Sequence, residues 1–393
     1  MTTKILEIEL TDIPDDISGL GRYDHAFILF RFKGKPVNRS VVPVKNGQID
    51  SDTLNDVLHK VGDWSLWNRL LSDYLKLENP SVFKGPATVA ICTRDRPKDL
   101  QRCIEALLKL NDDGQEILVI DNYPSSDATF NLVKKYDHVS YVREDKRGLN
   151  NARNRALKEA AYDIVAFIDD DAVPDPGWLR ALLRNFHDPL VLCTTGMTIP
   201  YELETEAQEW FELYSTFNRG FFRKTFDSSN VSPHLSGHIG AGVNMAFRRS
   251  VVDLVGPFDE ALDAGTPTLS GGDNEMFTRI LTQGYRIVYE PDAINFHCHR
   301  RTWGELKQTL HGYGVGVYAA WTRSLLCDRE FSVLWAAWLW FNSNQLPTLI
   351  RSLLPGNRGI PFSLIFSEIS GCFKGPWAYL ISRNQARDRN WSR

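Results

Sequence analysis

An alternation that begins at residue 87 constrains the fold most. Short apolar runs at 87–92, 117–120, 139–142 and 164–168 are separated by segments with helical periodicity. In the first of these segments Leu100, Cys103, Ile104, Leu107 and Leu108 fall at i, i+3, i+4, i+7 and i+8, the stripe of a helix lying on a core. Strands joined by crossover helices make an α/β fold, a mostly parallel sheet with helices on both faces. Ligands of such sheets bind beyond the carboxyl ends of the strands. Three polar sets stand there, Thr93-Arg94-Asp95-Arg96, Asp121-Asn122 and Asp169-Asp170-Asp171, and they are expected to converge on one crevice.

The alternation occupies the middle of the 393-residue chain and predicts three parts. Residues 1–82 show strand-and-turn patterns and then a helical stretch, a small α+β accessory unit with no chemical motif. Residues 83–326 hold the sheet, in two halves at 86–200 and 201–326. Within the second half, 200–240 is an aromatic-rich long loop with a short helix, 285–289 a strand, and Gly312-Tyr313-Gly314-Val315-Gly316 a site of close helix packing. Residues 327–393 form a helical, Trp-rich tail.

Composition excludes several classes. Lys plus Arg (45) against Asp plus Glu (49) gives no general attraction to nucleic acid. Six cysteines without a CxxC pair argue against a disulfide scaffold or a zinc ribbon and fit a reducing compartment. Met1 to Leu10 has no apolar signal segment, and the expected location is the cytoplasm. In the tail, 332–350 lacks any charge, but Asn342, Asn344 and Pro347 interrupt it, which argues against a membrane span. From 343 onward seven basic residues face two acidic ones, a local balance of +5. Tryptophans in a basic surround fit peripheral contact with the inner membrane face. They fit equally a helical hairpin packed on the sheet unit, and both readings stand.

Each motif has a plain structural reading beside its chemical one. Asp169-Asp170-Asp171 is either a solvated acidic turn or a site for a hard cation carrying a diphosphate, and its place after a buried strand favours the cation. His297 and His299, beside Arg300 and Arg301, are either surface histidines or a ligand pair for Mn²⁺. Asp273 and Glu275, after Gly271-Gly272, either cap a helix or supply a general base. Arg153 and Arg155 open another helix, where they either face solvent or suit an anionic ligand. Neither the dinucleotide fingerprint nor a Walker loop is present.

Taken in order, Val89-Ala90-Ile91-Cys92-Thr93-Arg94-Asp95-Arg96-Pro97, Ile120-Asp121-Asn122, Gly148-Leu149-Asn150-Asn151-Ala152-Arg153-Asn154, Phe167-Ile168-Asp169-Asp170-Asp171-Ala172, Gly242-Val243-Asn244-Met245-Ala246-Phe247, Gly272-Asp273-Asn274-Glu275 and His297 resemble the bacterial-type family 2 glycosyltransferases. The resemblance spans roughly residues 86–325 and implies that 86–200 binds the nucleotide sugar and 201–326 is the acceptor and catalytic half. It implies the GT-A fold and an inverting, metal-assisted single displacement from a nucleoside diphosphate sugar, with a UDP-sugar favoured. It further implies a saccharide or lipid-linked acceptor, in surface polysaccharide or glycolipid synthesis. Thr93, Arg94, Asp95, Asp121, Arg153, Asp169 and Asp170 would hold the nucleotide sugar, and Asp171 with His297 would hold Mn²⁺ or Mg²⁺. Asp273 would be the base, with Glu275 positioning the acceptor; Asn244, Trp210 and His299 are further acceptor-side candidates. The alternatives are an inactive carbohydrate-binding scaffold and a nucleotidyltransferase of similar fold.

Overall fold

The computed structural model describes residues 2–77, 85–354 and 359–391; the expected boundary at 82/83 lies outside them. The chain opens with β1 (Thr3–Glu9), β2 (His25–Phe32) and β3 (Lys35–Pro43), a sheet in which β2 pairs with β1 in parallel and with β3 antiparallel. Two helices follow, Ser51–Val61 and Trp64–Tyr74, each started by an aspartate side chain, Asp50 or Asp63, accepting from a first-turn amide at 2.8 Å. Alternation along β2 explains why nearly all of it is buried. Ala26, Ile28 and Phe30 pack inside this unit, whereas Phe27 and Leu29 pack on Met197, Ile199, Tyr289 and Ile294 of the main sheet.

The main sheet comprises β4 (Thr88–Thr93), β5 (Glu116–Asn122), β6 (Val139–Glu144), β7 (Ile164–Asp169), β8 (Ala172–Pro174), β9 (Val191–Pro200), β10 (Lys224–Phe226), β11 (Asn244–Arg248) and β12 (Arg286–His297). Among the described residues its order is β10-β12-β9-β11-β7-β4-β5-β6, with β8 on β12. β6, β5, β4 and β7 are parallel, as the alternation predicts, and β11 enters antiparallel between β7 and β9. Helix Pro97–Leu107 covers one face through Leu100, Cys103, Ile104 and Leu107; helix Leu149–Glu159 covers the other through Ala152, Ala156 and Leu157. Leu108, expected in the first stripe, instead ends that helix and is exposed. The strand read at 285–289 continues to His297, because β12 passes Pro291 through a break in register between Glu290 and Ile294. His297 is therefore the last residue of a strand rather than part of a following turn.

Helix Trp303–Arg323 and the C-terminal helix Phe362–Trp391 pack at backbone contact. A Cβ on Gly314 would collide with the Glu368 carbonyl, and one on Gly371 with that of His311. The glycine run 312–316 is thus a packing surface, as its sequence context predicts. Gly316 also lies against the left-handed Gly271 (φ +97°), which fixes the start of helix Gly272–Thr282. Among the described residues, no helix is long and apolar enough to cross a membrane.

Candidate active site

Register brings the first residues together. Thr93 lies opposite Asp121, and Cys92 opposite Asp169, at the carboxyl ends of adjacent strands. β8 then folds back on β12 with Ala172 opposite His297, so Asp171 meets the imidazole. His297 Nε2 lies 3.1 Å from Asp171 Oδ1. One ligand atom each from Asp169, Asp171 and His297 all fall within 4.8 Å of one another. Two carboxylates and an imidazole suit a divalent cation of the Mn²⁺ or Mg²⁺ type, and this donor set therefore fits one.

The neighbourhood divides the three acids by charge. Asp170 accepts from Thr93 Oγ1 at 2.7 Å and from Arg96 Nη1 at 3.2 Å; burial and the adjacent Asp171 push its carboxyl up to about 7. Burial would raise Asp171 too, but His297, Arg300 and Arg96 hold it well below the ordinary carboxylate range. Burial and Asp171 raise Asp169, opposed by His297 and Arg153. Burial works against the charged form of His297, and Asp171 outweighs it, raising the imidazole above its usual value.

Beside this group, at the end of β5, lies a second set of polar side chains. Asp121 is buried; its Oδ2 accepts from Tyr141 Oη at 2.9 Å, and its Oδ1 has no protein donor. Burial raises the carboxyl, with Tyr141 opposing. An acceptor left open in this way suits a ligand N–H. Asp95, in a left-handed conformation (φ +56°), accepts from the amide and hydroxyl of Ser125 at 2.9 Å and so ties the turn after β4 to the turn after β5. Arg94 lies against the Tyr123 ring there.

Across the crevice, Asp273 stands on the first turn of helix Gly272–Thr282. Its Oδ2 accepts from the Gly242 amide at 2.7 Å and its Oδ1 from its neighbour's amide at 2.8 Å. Burial and the nearby Asp263 raise this carboxyl, and Arg153 opposes them. Arg153 is enclosed; its Nη1 donates to Asp263 Oδ2 at 2.6 Å and to Asn150 Oδ1 at 3.0 Å. Its charge acts on both Asp169 and Asp273, which links the two sides of the crevice.

Several of the expected site residues lie apart from the trio and from Asp273. Glu275 turns away from the crevice, because its buried carboxylate holds Arg279 at 2.6 and 2.9 Å and Arg323 at 3.2 Å. Asn244 is a core residue that accepts from Trp178 Nε1 and donates to the carbonyls of Met197 and Ala293. His299 lies buried behind His297, Nδ1 to Nδ1 at 3.2 Å, with Glu212 at 3.4 Å and Phe211 against its ring. It can set the tautomer of His297 but cannot meet an acceptor. Trp210 packs among the side chains between helices Glu206–Ser215 and Trp303–Arg323, its indole nitrogen on Glu206. Arg153 acts as an interior counter-ion instead of an exposed anion site. Tyr141, Asp263 and the bridging role of Arg96 were not anticipated. Only Arg96 carried a signal, as the second cation of Thr93-Arg94-Asp95-Arg96.

Comparison with known proteins agrees with this geometry. Residues 88–256 match the family model described as "Glycosyl transferase family 2". Among curated relatives, the pre-mycofactocin glycosyltransferase of Mycobacterium tuberculosis is 28% identical over 239 residues, which is 59% of this chain and 47% of that protein. The chain thus spans about half the length of this relative. Glycosyltransferase AglE of Haloferax volcanii is 27% identical over 261 residues, covering 64% of this chain and 79% of that one. In fold, the chain is similar to the mannosyltransferase PcManGT from Pyrobaculum calidifontis, solved with GDP-Man and Mn²⁺ (TM-score 0.52, 16% identity, 79% of this chain and 94% of that one). Strand order, sequence and the solved neighbour agree on the GT-A fold, and it is residues 88–256 that match glycosyl transferase family 2.

Proposed function

We propose that the chain is an inverting glycosyltransferase that moves a sugar from a nucleoside diphosphate to an acceptor hydroxyl. The observation that supports this reading is the trio Asp169, Asp171 and His297, with one ligand atom each within 4.8 Å of the others, joined to the carboxylate of Asp273 through Arg153, whose charge acts on both Asp169 and Asp273. The division into an accessory unit (1–82), a catalytic unit (83–326) and a helical tail (327–393) belongs to the same reading.

In this mechanism Asp121 Oδ1 accepts the ring N–H of the base, a group that uracil and guanine both carry. Asp95 ties the turns after β4 and β5 together, and Thr93 keeps Asp170 in place. Asp169, Asp171 and His297 would hold a divalent cation, which would neutralise the diphosphate and make it a better leaving group. Arg96 and Arg300, already drawn to the acidic turn, add positive charge where the diphosphate departs. Asp273 accepts the acceptor's hydroxyl proton while the oxygen attacks the anomeric carbon opposite the departing phosphate, giving inversion. Both of its oxygens take backbone N–H bonds, which fix its orientation and leave a lone pair on each. Burial and Asp263 raise this carboxyl, which makes its ionised form a stronger proton acceptor.

The test is release of nucleoside diphosphate from a panel of UDP- and GDP-sugars, with Mn²⁺ or Mg²⁺ and saccharide or lipid-linked acceptors. Metal-dependent release, with an inverted anomeric centre in the product, is the expected result. Hydrolysis of nucleoside triphosphates in place of sugar transfer would overturn it.

A further inference from the structure

Three consecutive helices near the end of the chain leave large apolar side chains in water. On helix Ser332–Trp340 these are Leu334, Trp335 and Trp338, the two indole rings stacked 4.6 Å apart, with Phe331 just before them. On helix Leu346–Leu353 they are Ile350 and Leu353, followed by Leu354. On the C-terminal helix they are Phe362, Phe366, Phe373, Trp377, Leu380 and Ile381. At 3.6 residues per turn these six fall within an arc of about 100°. The opposite side of that helix, with Leu364, Cys372 and Tyr379, is the buried one. The helix is therefore apolar on both sides, and only one side has a protein partner. Monomeric soluble surfaces rarely carry so much exposed apolar area.

Charge indicates what covers it. Arg329, Arg351, Lys374 and Arg387 are exposed on the same segments. Of the acids described there, Asp328 pairs with Arg323, Glu330 accepts from Ser332 and lies 4.0 Å from His234, and Glu368 is turned inward to Tyr214 and Gln345, which leaves the exposed cations in excess. A second copy docked through this same surface would set two surfaces with an excess of exposed cations against each other, which is unfavourable. An anionic surface matches both the charge and the aromatic content. No described helix is long and apolar enough to cross the bilayer, so contact is confined to the headgroup region.

We propose that the exposed apolar side chains of these three helices dock the chain on an anionic lipid bilayer, with Trp335, Trp338, Phe373 and Trp377 inserted at headgroup depth. Binding does not depend on the glycosyl-transfer reading, since it is measured without turnover. The experiment uses the full chain with vesicles of phosphatidylcholine, with and without phosphatidylglycerol. At low salt the chain sediments with the anionic vesicles and its tryptophan emission shifts to the blue; raised salt releases it, and phosphatidylcholine alone does not bind it. Trp335→Ser with Trp377→Ser weakens partitioning at least about tenfold. Arg351→Glu or Lys374→Glu weakens it about fivefold each. These side chains are exposed, so circular dichroism is unchanged. Helix Trp64–Tyr74 also exposes Trp64 and Trp67 and serves as the control, since Trp64→Ser with Trp67→Ser leaves binding intact. The proposal is overturned if the chain stays in the supernatant with anionic vesicles at low salt, or if the control variant loses binding while the tail variants keep it. It is also overturned if light scattering shows a vesicle-free dimer that Trp335→Ser dissolves.

Discussion

The crevice is built from two acidic turns that look alike in sequence and behave differently in space. Asp169-Asp170-Asp171 ends a strand, and Asp273-Asn274-Glu275 begins a helix. In the first, the chain reverses at once into β8, so the side chains at i and i+2 return to the same side and Asp169 and Asp171 share a site with His297. In the second, residues two apart on a helix point about 200° apart. Asp273 therefore faces the crevice while Glu275 faces the interior and its two arginines. Spacing alone does not say whether two carboxylates work together; the backbone between them decides.

The largest expected effect breaks the first turn. Asp171→Asn keeps the shape but removes the carboxylate that His297, Arg96 and Arg300 surround, so turnover and metal-dependent nucleotide binding should both disappear. Excess chelator should have the same effect on the native chain, reversed by Mn²⁺ or Mg²⁺. Isothermal titration with UDP and GDP checks the binding half; full nucleotide affinity in the variant would separate Asp171 from the cation.

Asp273→Asn comes next. The amide retains the hydrogen bond from Gly242 but cannot take a proton, so kcat should fall about 10²–10⁴-fold while donor affinity changes little. Steady-state kinetics with donor titration distinguishes this from a binding defect. Glu275→Gln should do the reverse. It leaves Arg279 and Arg323 without their carboxylate in the interior, at a cost of about 3 kcal/mol in stability. The kcat of the folded protein should stay within a few-fold. A thermal melt run beside the activity assay checks this, and a large loss of kcat at an unchanged Tm would return Glu275 to the acceptor site.

The contrast between the turns also marks what was legible in the sequence. The parallel strands β4 to β7, the helix stripe from Leu100 and the convergence of Thr93, Asp121 and Asp169 follow from local periodicity and the rule for strand ends. Residues that depend on long-range pairing were not legible. Asn244 sits in a motif that looks functional, yet its amide joins Trp178 to β9 and β12, contacts 47 to 66 residues away. β12 was read short because Pro291 and Asp292 look like a break; the strand tolerates them by a register shift, with Asp292 paired to Arg69 and Arg184. Arg153 looked like an anion site, because nothing local announces that Asp263 will reach it from 110 residues away.

That Arg153–Asp263 pair supplies the smallest effect and the sharpest comparison within the second turn. Asp263 raises the Asp273 carboxyl, and it also engages the guanidinium that would otherwise lower it more. Asp263→Asn removes the like charge and leaves an oxygen to accept from Arg153. The base must be ionised to work, so the rate rises with pH as Asp273 loses its proton. With Asp263 neutralised Asp273 ionises at lower pH, and the acidic limb of kcat/KM should move downward while the plateau stays within a few-fold. The same substitution should leave metal-dependent nucleotide binding unchanged, because Asp169 and Asp171 take their main opposing charge from His297. A pH–rate profile with an unmoved acidic limb would show that the group titrating there is on the strand-end turn and not on the helix.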